Sequence, residues 1–358
     1  MLNIPKAPMN WTLPELADLD ALNPAALRAR LQQRLDGKTK PLGSLGQIEA
    51  LALRLGLILG TEAPQLQQPQ LLVCAADHGL AAQGVSAYPS EVTAQMVLNF
   101  LAGGAAVSVL ARQHGLALTV LDCGVRAELP AHPALRDCKV APGSADSSLQ
   151  PAMSAAQCRA ALGHGAAAVR SLPGNALLLG EMGIGNTSAA ALLLARLGGV
   201  PIEDCTGAGT GLDAAGVQRK TAVLRAVLQR HAQAQEPLDA LAALGGFEIA
   251  ALVGAVLEAA AQRRVIVVDG FITGAAVLVA ARLRPALLQR CVFAHCGAER
   301  GHARLLELLG AEPLLRLGLR LGEGSGAALA WPLLVSACAL LEQMASFESA
   351  GVSQSVSR

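Results

Sequence analysis

From about Gln70 onward, short continuous apolar runs alternate with longer Ala- and Leu-rich stretches. Residues 71–76 run into Asp77-His78-Gly79, and residues 118–121 into Asp122-Cys123-Gly124. Residues 176–179 run into Gly180-Glu181-Met182-Gly183, residues 265–268 into Asp269-Gly270, and residues 292–294 into His295-Cys296-Gly297. Runs this short, with no polar alternation, fit strands buried on both faces, as in parallel sheets. Strands alternating with helical stretches predict an α/β fold built on a doubly wound sheet. Such sheets bind ligands beyond the carboxyl ends of their strands. The polar residues named above fall at those ends, so the five together point to one polar crevice.

Before Gln70 the pattern is helical. Asn23-Pro24 reads as an N-cap followed by a first-position proline, with Gly37 ending that helix. Ser44-Leu45-Gly46-Gln47 has capping-box spacing and predicts a helix through about Leu59. A basic, turn-rich link, residues 38–43, joins the two. A last apolar helix is expected from Ala327 to about Gln343, followed by a frayed polar end. Residues 1–20 contain prolines and acids but no apolar core of a secretory signal, so no signal peptide is expected.

Composition narrows the choice. The chain has 358 residues, enough for a large core and more than one domain. Its net charge of +1 offers no basic field for nucleic acid, and 2% aromatics offer no stacking platform for single strands. The mean hydropathy of +0.43 invites a membrane reading. However, residues 249–261 carry Glu258, and residues 327–341 carry Pro332 after a Gly-rich turn. Both fall short of the roughly 20 apolar residues of a spanning helix. Eight cysteines without a C-x-x-C pair read as reduced, buried thiols in a cytoplasm. Cys123 and Cys296 lie next to strand ends, where packing is favoured over a site role.

Several segments carry candidate chemistry. Gly322-Glu323-Gly324-Ser325-Gly326 places a carboxylate between glycines just before a helix. Glycines permit sharp turns and close ligand approach, and helix N-terminal amides favour negative charge. Glu323 could there take a proton from a bound substrate, or simply be an acidic cap. Gly183-Ile184-Gly185-Asn186-Thr187-Ser188 links a strand to an Ala-rich helix and could hold a phosphate. It departs from the dinucleotide fingerprint at Ser188, and it is no Walker A loop. Gly207-Ala208-Gly209-Thr210-Gly211 is a second Gly-rich loop, followed by Asp213 as the cap of a helix carrying Lys220. Two such loops and one lysine suit a monophosphate, and tight turns in a Gly-rich fold explain them equally well. His78, His295 and His302 lack metal-ligand spacing, so a structural or substrate-contact role is expected and no metal or cofactor. Around the single tyrosine, Tyr88, residues 84–89 lead into residues 90–96. This segment could wall a pocket for a flat apolar ring, or be an ordinary helix capped by Ser90 with Thr93 at N3.

Together these motifs resemble one family, the nicotinate-nucleotide–dimethylbenzimidazole phosphoribosyltransferases. The matching stretches are Lys40-Pro41-Leu42-Gly43-Ser44-Leu45-Gly46, Ala76-Asp77-His78-Gly79, Gly84-Val85-Ser86, Glu91-Val92-Thr93, Asn99-Phe100, Gly103-Gly104-Ala105-Ala106, residues 180–187, residues 207–211, Val268-Asp269-Gly270-Phe271 and residues 321–326. They run in order from Lys40 to Gly326. Cys296-Gly297 is a departure, since many members have serine at the first position; a backbone contact would survive there. The resemblance implies phosphoribosyl transfer from nicotinate mononucleotide to 5,6-dimethylbenzimidazole, in synthesis of the lower ligand of cobalamin, with Glu323 as the base. It places nicotinate mononucleotide and its phosphate on Glu181, Gly183, Ile184, Gly185, Asn186, Thr187, Gly209, Thr210, Lys220, Asp269 and Gly297, and the benzimidazole on Ser86, Tyr88, Gln95 and Leu321. It further implies a homodimer, with a Rossmann-like, mostly parallel large domain over 60–325 and a small helical domain from 1–59 and 326–358.

Two other classes compete. One is an NAD-dependent oxidoreductase using the 183–188 loop, with Glu203 or Asp204 on the ribose; Pro201-Ile202-Glu203-Asp204 makes a poor second strand for it. The other is a non-catalytic nucleotide-binding module, which leaves Glu323 unexplained.

Overall fold

The structure is a computed structural model that describes residues 11–209 and 211–353. Its centre is a six-stranded sheet in the order β3-β2-β1-β4-β5-β6, formed by β1 (Gln70–Ala76), β2 (Ala117–Gly124), β3 (Leu135–Asp137), β4 (Ala176–Met182), β5 (Val265–Val268) and β6 (Cys291–Phe293). Every pairing is parallel. The five apolar runs are all strands. β3 was not foreseen, because its three residues sit half-exposed at the sheet edge and carry no apolar run.

The absence of polar alternation has a direct cause. Leu72, Cys74, Leu177, Leu179, Ile266 and Val268 enter a core with one set of helices. Their neighbours Leu71, Val73, Ala176, Leu178, Val265 and Val267 enter a second core on the opposite face. The first face is covered by the central helices, among them Asn186–Gly198, Phe247–Ala261 and Phe271–Leu283. The second is covered by Ala25–Asp36, Gln47–Leu59, Val92–Ala102, Ala106–His114 and Ser325–Gln343. The two ends of the chain meet there: Arg34 Nη2 lies 3.1 Å from Glu342, and Lys38 Nζ donates to the Met344 carbonyl at 2.6 Å.

Three local expectations change. Pro24, not Asn23, precedes the Ala25–Asp36 helix, although Gly37 does end it. The Asn23 side chain instead donates to the Leu57 carbonyl and accepts from Arg263. No capping box forms at Ser44; the Gln47–Leu59 helix starts after Gly46, and Glu49 reaches back to the Leu45 amide and to Lys40. Pro332 does not interrupt the last helix, which runs 19 residues. By length and apolarity that helix and the 92–114 stretch are each long enough to cross a bilayer. The last helix, however, buries Ala327, Ala328, Trp331 and Leu334 in the second core, and the 92–114 stretch turns at Gly103.

Sheet order reverses between β1 and β4, which lie side by side while their chains continue outward in opposite directions. A doubly wound sheet opens its ligand crevice at that switch point. Asp77-His78 and the 183–186 loop emerge there, and Asp269 and His295 follow the carboxyl ends of β5 and β6 on the β4 side of it.

Candidate active site

Three carboxyl groups meet beyond the strand ends. Glu181 is buried at the next-to-last position of β4; its Oε2 accepts from Asn186 Nδ2 at 2.5 Å and its Oε1 from the Glu323 amide at 3.3 Å. Asp269 follows β5 and accepts from the amides of Gly324 at 3.2 Å and Ala327 at 2.9 Å. It therefore satisfies donors at the start of the Ser325–Gln343 helix, which has no capping side chain of its own. The cap role considered for Glu323 is thus taken by a residue from another strand. Glu323 itself has φ 65°, between two left-handed glycines. A non-glycine residue there costs on the order of 1–3 kcal/mol, and such strain clusters at functional sites. The loop also lies hard against β4: a Cβ at Gly180 would come within 2.4 Å of the Glu323 carbonyl.

Burial sets the protonation of this trio. It pushes Glu181 up to about 8, with the charge of Asp269 adding. It raises Asp269 to about 7 against the backbone donors, and Glu323 to about 7, with Asp269 again adding. The charge of Asp269 thus acts on both glutamates, raising each further. A value of about 7 suits Glu323 to proton abstraction at physiological pH.

The second cluster lies at the other end of the 183–188 loop. The Asn186–Gly198 helix begins after Gly185 and turns its N-terminus to the crevice, with the Asn186 and Ser188 amides donating to the Gly183 and Gly185 carbonyls. Lys220 Nζ donates to Thr187 Oγ1 at 2.8 Å from a fully buried position. Burial lowers Lys220 to about 8, opposed by Glu299. Asp213 caps the Lys220 helix as expected, accepting from Gly216 at 2.7 Å. Gly209 closes over this pair, since a Cβ there would lie 3.1 Å from Thr187 Oγ1 and 3.4 Å from Lys220 Nζ. Thr210 lies outside the described residues.

Other candidates are placed less centrally. The Ile184 amide donates to Thr93 Oγ1 at 3.1 Å, which fastens the loop to the Val92–Ala102 helix. Thr93 therefore serves tertiary packing, and Ser90 does not cap that helix, which Glu91 precedes. Tyr88 and Gln95 are exposed, as is Leu321, two residues before Glu323. Ser86 Oγ accepts from the Tyr88 amide at 3.3 Å. The Gly297 amide is taken up by His302 Nδ1 at 2.8 Å. Burial drives His302 down to about 3, with His295 adding, and lowers His295 as well. Both rings are neutral at pH 7, so the 3.7 Å approach of His295 to Asp269 is a polar contact rather than an ion pair. Among the described residues, no group of three or more acidic, His or Cys side chains is arranged to hold a metal ion.

Two partners escaped the sequence. Glu248 pairs with His78 at 2.7 Å, and Glu299 lies beside Gly207 and Lys220. A single acid inside the apolar 247–257 run was the available signal for Glu248; Glu299 had none. The dinucleotide reading loses support, because Ile202–Cys205 is a short helix and Glu203 pairs with Arg225 in solvent.

A family model described as phosphoribosyltransferase matches residues 21–352. A nicotinate-nucleotide–dimethylbenzimidazole phosphoribosyltransferase of Variovorax paradoxus is 68% identical over 96% of this chain and 98% of its own length. The protein of that name from Cupriavidus necator is 60% identical over 95% and 98%. The crystal structure of CobT from Thermus thermophilus superposes with a TM-score of 0.89 at 44% identity, covering 92% of this chain and 99% of that one. Matched nearly end to end in sequence and fold, the chain belongs to the nicotinate-nucleotide–dimethylbenzimidazole phosphoribosyltransferase family.

Proposed function

We propose that this protein transfers the phosphoribosyl group of nicotinate mononucleotide to 5,6-dimethylbenzimidazole, releasing nicotinate and α-ribazole 5′-phosphate. The observation that carries the reading is Glu323, strained, buried and raised to about 7 at the switch-point crevice. One benzimidazole nitrogen attacks the anomeric carbon. The bond to the pyridinium nitrogen breaks, its electron pair neutralising the leaving ring. The proton on the other benzimidazole nitrogen passes to Glu323. Because the leaving group already carries its positive charge, most remaining catalysis is orientation of two bound rings. Thr187, Lys220, the 183–187 loop and Gly209 take the phosphate, with the Ile184 amide committed to Thr93 and the Asn186 amide to the Gly183 carbonyl, and Thr210 assigned to the same group. Glu181, Asn186, Asp269 and Gly297 flank the ribose and nicotinate. Ser86, Tyr88, Gln95 and Leu321 wall the acceptor. Residues 60–325 form the catalytic unit, and the helices of 1–59 and 326–358 support it. A homodimer fits the exposed Leu42, Leu98 and Val109, and the eight free cysteines suit a reducing cytoplasm. Incubating the purified protein with both substrates and no added cofactor tests the reading; absence of α-ribazole 5′-phosphate would sink it.

The protonation states set a pH profile. Glu323 acts when deprotonated, so turnover rises through about pH 7, by about tenfold per unit on the acid side. Lys220 holds phosphate when protonated, so kcat/KM for the donor falls again above about pH 8. A rate that stays flat from pH 5 to 7 would exclude Glu323 as the base.

Acceptor choice should be loose. With 2% aromatic residues, apolar burial rather than stacking supplies most of the acceptor's affinity. One methyl group in such a slot is worth about 1–3 kcal/mol. Unsubstituted benzimidazole should therefore react with reduced efficiency, and a kcat/KM preference beyond about 10⁴ would require a polar, tightly reading pocket.

A further inference from the structure

His78 and Glu248 form an ion pair that the reaction itself does not use. His78 ends the turn after β1, and Glu248 lies in the first turn of the Phe247–Ala261 helix. His78 Nε2 and Glu248 Oε1 are 2.7 Å apart, and both residues are buried. Glu248 Oε2 finds no hydrogen-bond partner among the described residues. Burial works against a charged His78, but the charge and hydrogen bond of Glu248 outweigh it, Asp77 adding and Arg126 opposing, so the ring holds its proton to higher pH than usual. A buried ion pair is weak evidence for stability, because desolvation offsets its attraction. Its position is more informative. The imidazole lies directly under the 183–185 loop: a Cβ at Gly183 would stand 3.3 Å from His78 Cδ2, and one at Gly185 3.6 Å from His78 Cβ. From below, a Cβ at Gly246 would come within 2.3 Å of the ring and 2.6 Å of Glu248 Oε2. The backbone is shaped around this side chain on both sides. The loop above it ends in Asn186 and Thr187, which bind Glu181 and Lys220. The charge of Glu248 also reaches Glu181.

We propose that His78, clamped by Glu248, is a positioning residue that sets the height of the 183–187 loop and thereby the fit of the phosphoribosyl donor. The identity of that donor rests on the function proposed above; the clamp itself does not. His78→Gln and Glu248→Gln each keep a hydrogen-bonding side chain of similar size while removing a charge. Each should raise the KM for nicotinate mononucleotide by about 10–100-fold, on the scale of one lost charge-assisted hydrogen bond. The KM for dimethylbenzimidazole should stay within about twofold, since uniform binding of one substrate alone is lost. If the two act as a unit, the double variant is no worse than either single one. Hydrogen exchange of the 183–188 amides provides a readout that needs no turnover, and it should accelerate in all three variants. Unchanged exchange there overturns the clamp whatever the activity, and so does an equal rise in both KM values. Faster exchange in a protein that makes no α-ribazole 5′-phosphate would keep the clamp and discard the assigned reaction.

Discussion

Glu323→Gln should lower kcat by about 10²–10⁴-fold, the contribution of a positioned general base. Glutamine preserves the shape of the side chain and experiences the same left-handed backbone, so the loop geometry should survive the change. The interaction with Asp269 that holds the helix start runs through the Gly324 and Ala327 amides, which the substitution leaves in place. Both substrates should therefore still bind, and calorimetric titration of each against the variant separates lost chemistry from lost binding. Near-normal turnover would remove Glu323 from the mechanism. A second consequence concerns the pH profile. Glu323 titrates near neutrality because it is buried beside Asp269. The residual activity of the glutamine variant should lose its rise through about pH 7, because the group responsible for it is gone.

Lys220→Ala should raise the KM for nicotinate mononucleotide by about 10–100-fold, since a charge-assisted contact to phosphate is worth about 1.5–3 kcal/mol. The KM for dimethylbenzimidazole should change little. Lys220 is fully buried, and truncation leaves both a cavity and the Thr187 hydroxyl without its donor. Lys220→Met keeps most of the volume and removes the ammonium, with its charge and its hydrogen bond to Thr187. If phosphate binding is the role, the two variants weaken the donor alike and the methionine protein melts near the parent temperature. Equal weakening of both substrates, accompanied by a lower melting temperature, would make Lys220 a structural residue. Because burial has already lowered its pKa to about 8, the lysine is less firmly charged than a surface one, and an arriving phosphate should raise that value.

The strands were legible because burial on both faces removes polar alternation, leaving runs such as residues 71–76 that no amphipathic helix would show. β3 was not, since three half-exposed residues carry no such run. The helix starts were misread for a different reason. Asn23 and Ser44 both have the local pattern of caps, but Arg263 and Leu57 claim the first, and the buried Glu49, paired with Lys40, serves the start of the second helix instead. A cap signal describes what a side chain can do with its own backbone; competition from distant partners is invisible to it.

The candidate site divides along the same line. The glycines around Glu323 and in the 183–188 and 207–211 loops marked where the backbone turns sharply, because φ preferences are local and glycine's are distinct. The order of apolar runs likewise determined a doubly wound sheet and the end of it that would carry the chemistry. Only the folded chain decided which charges face one another. Glu181 meets the Glu323 amide across 142 residues, Asp269 takes the Gly324 amide across 55, and His78 finds Glu248 across 170. The loss of water around Glu181, Asp269 and Glu323, opposed by the backbone donors to the first two, turns ordinary carboxylates into groups that titrate near neutrality. Desolvation depends on everything packed around a side chain, so it belongs to the tertiary structure and has no signature in the residues beside it.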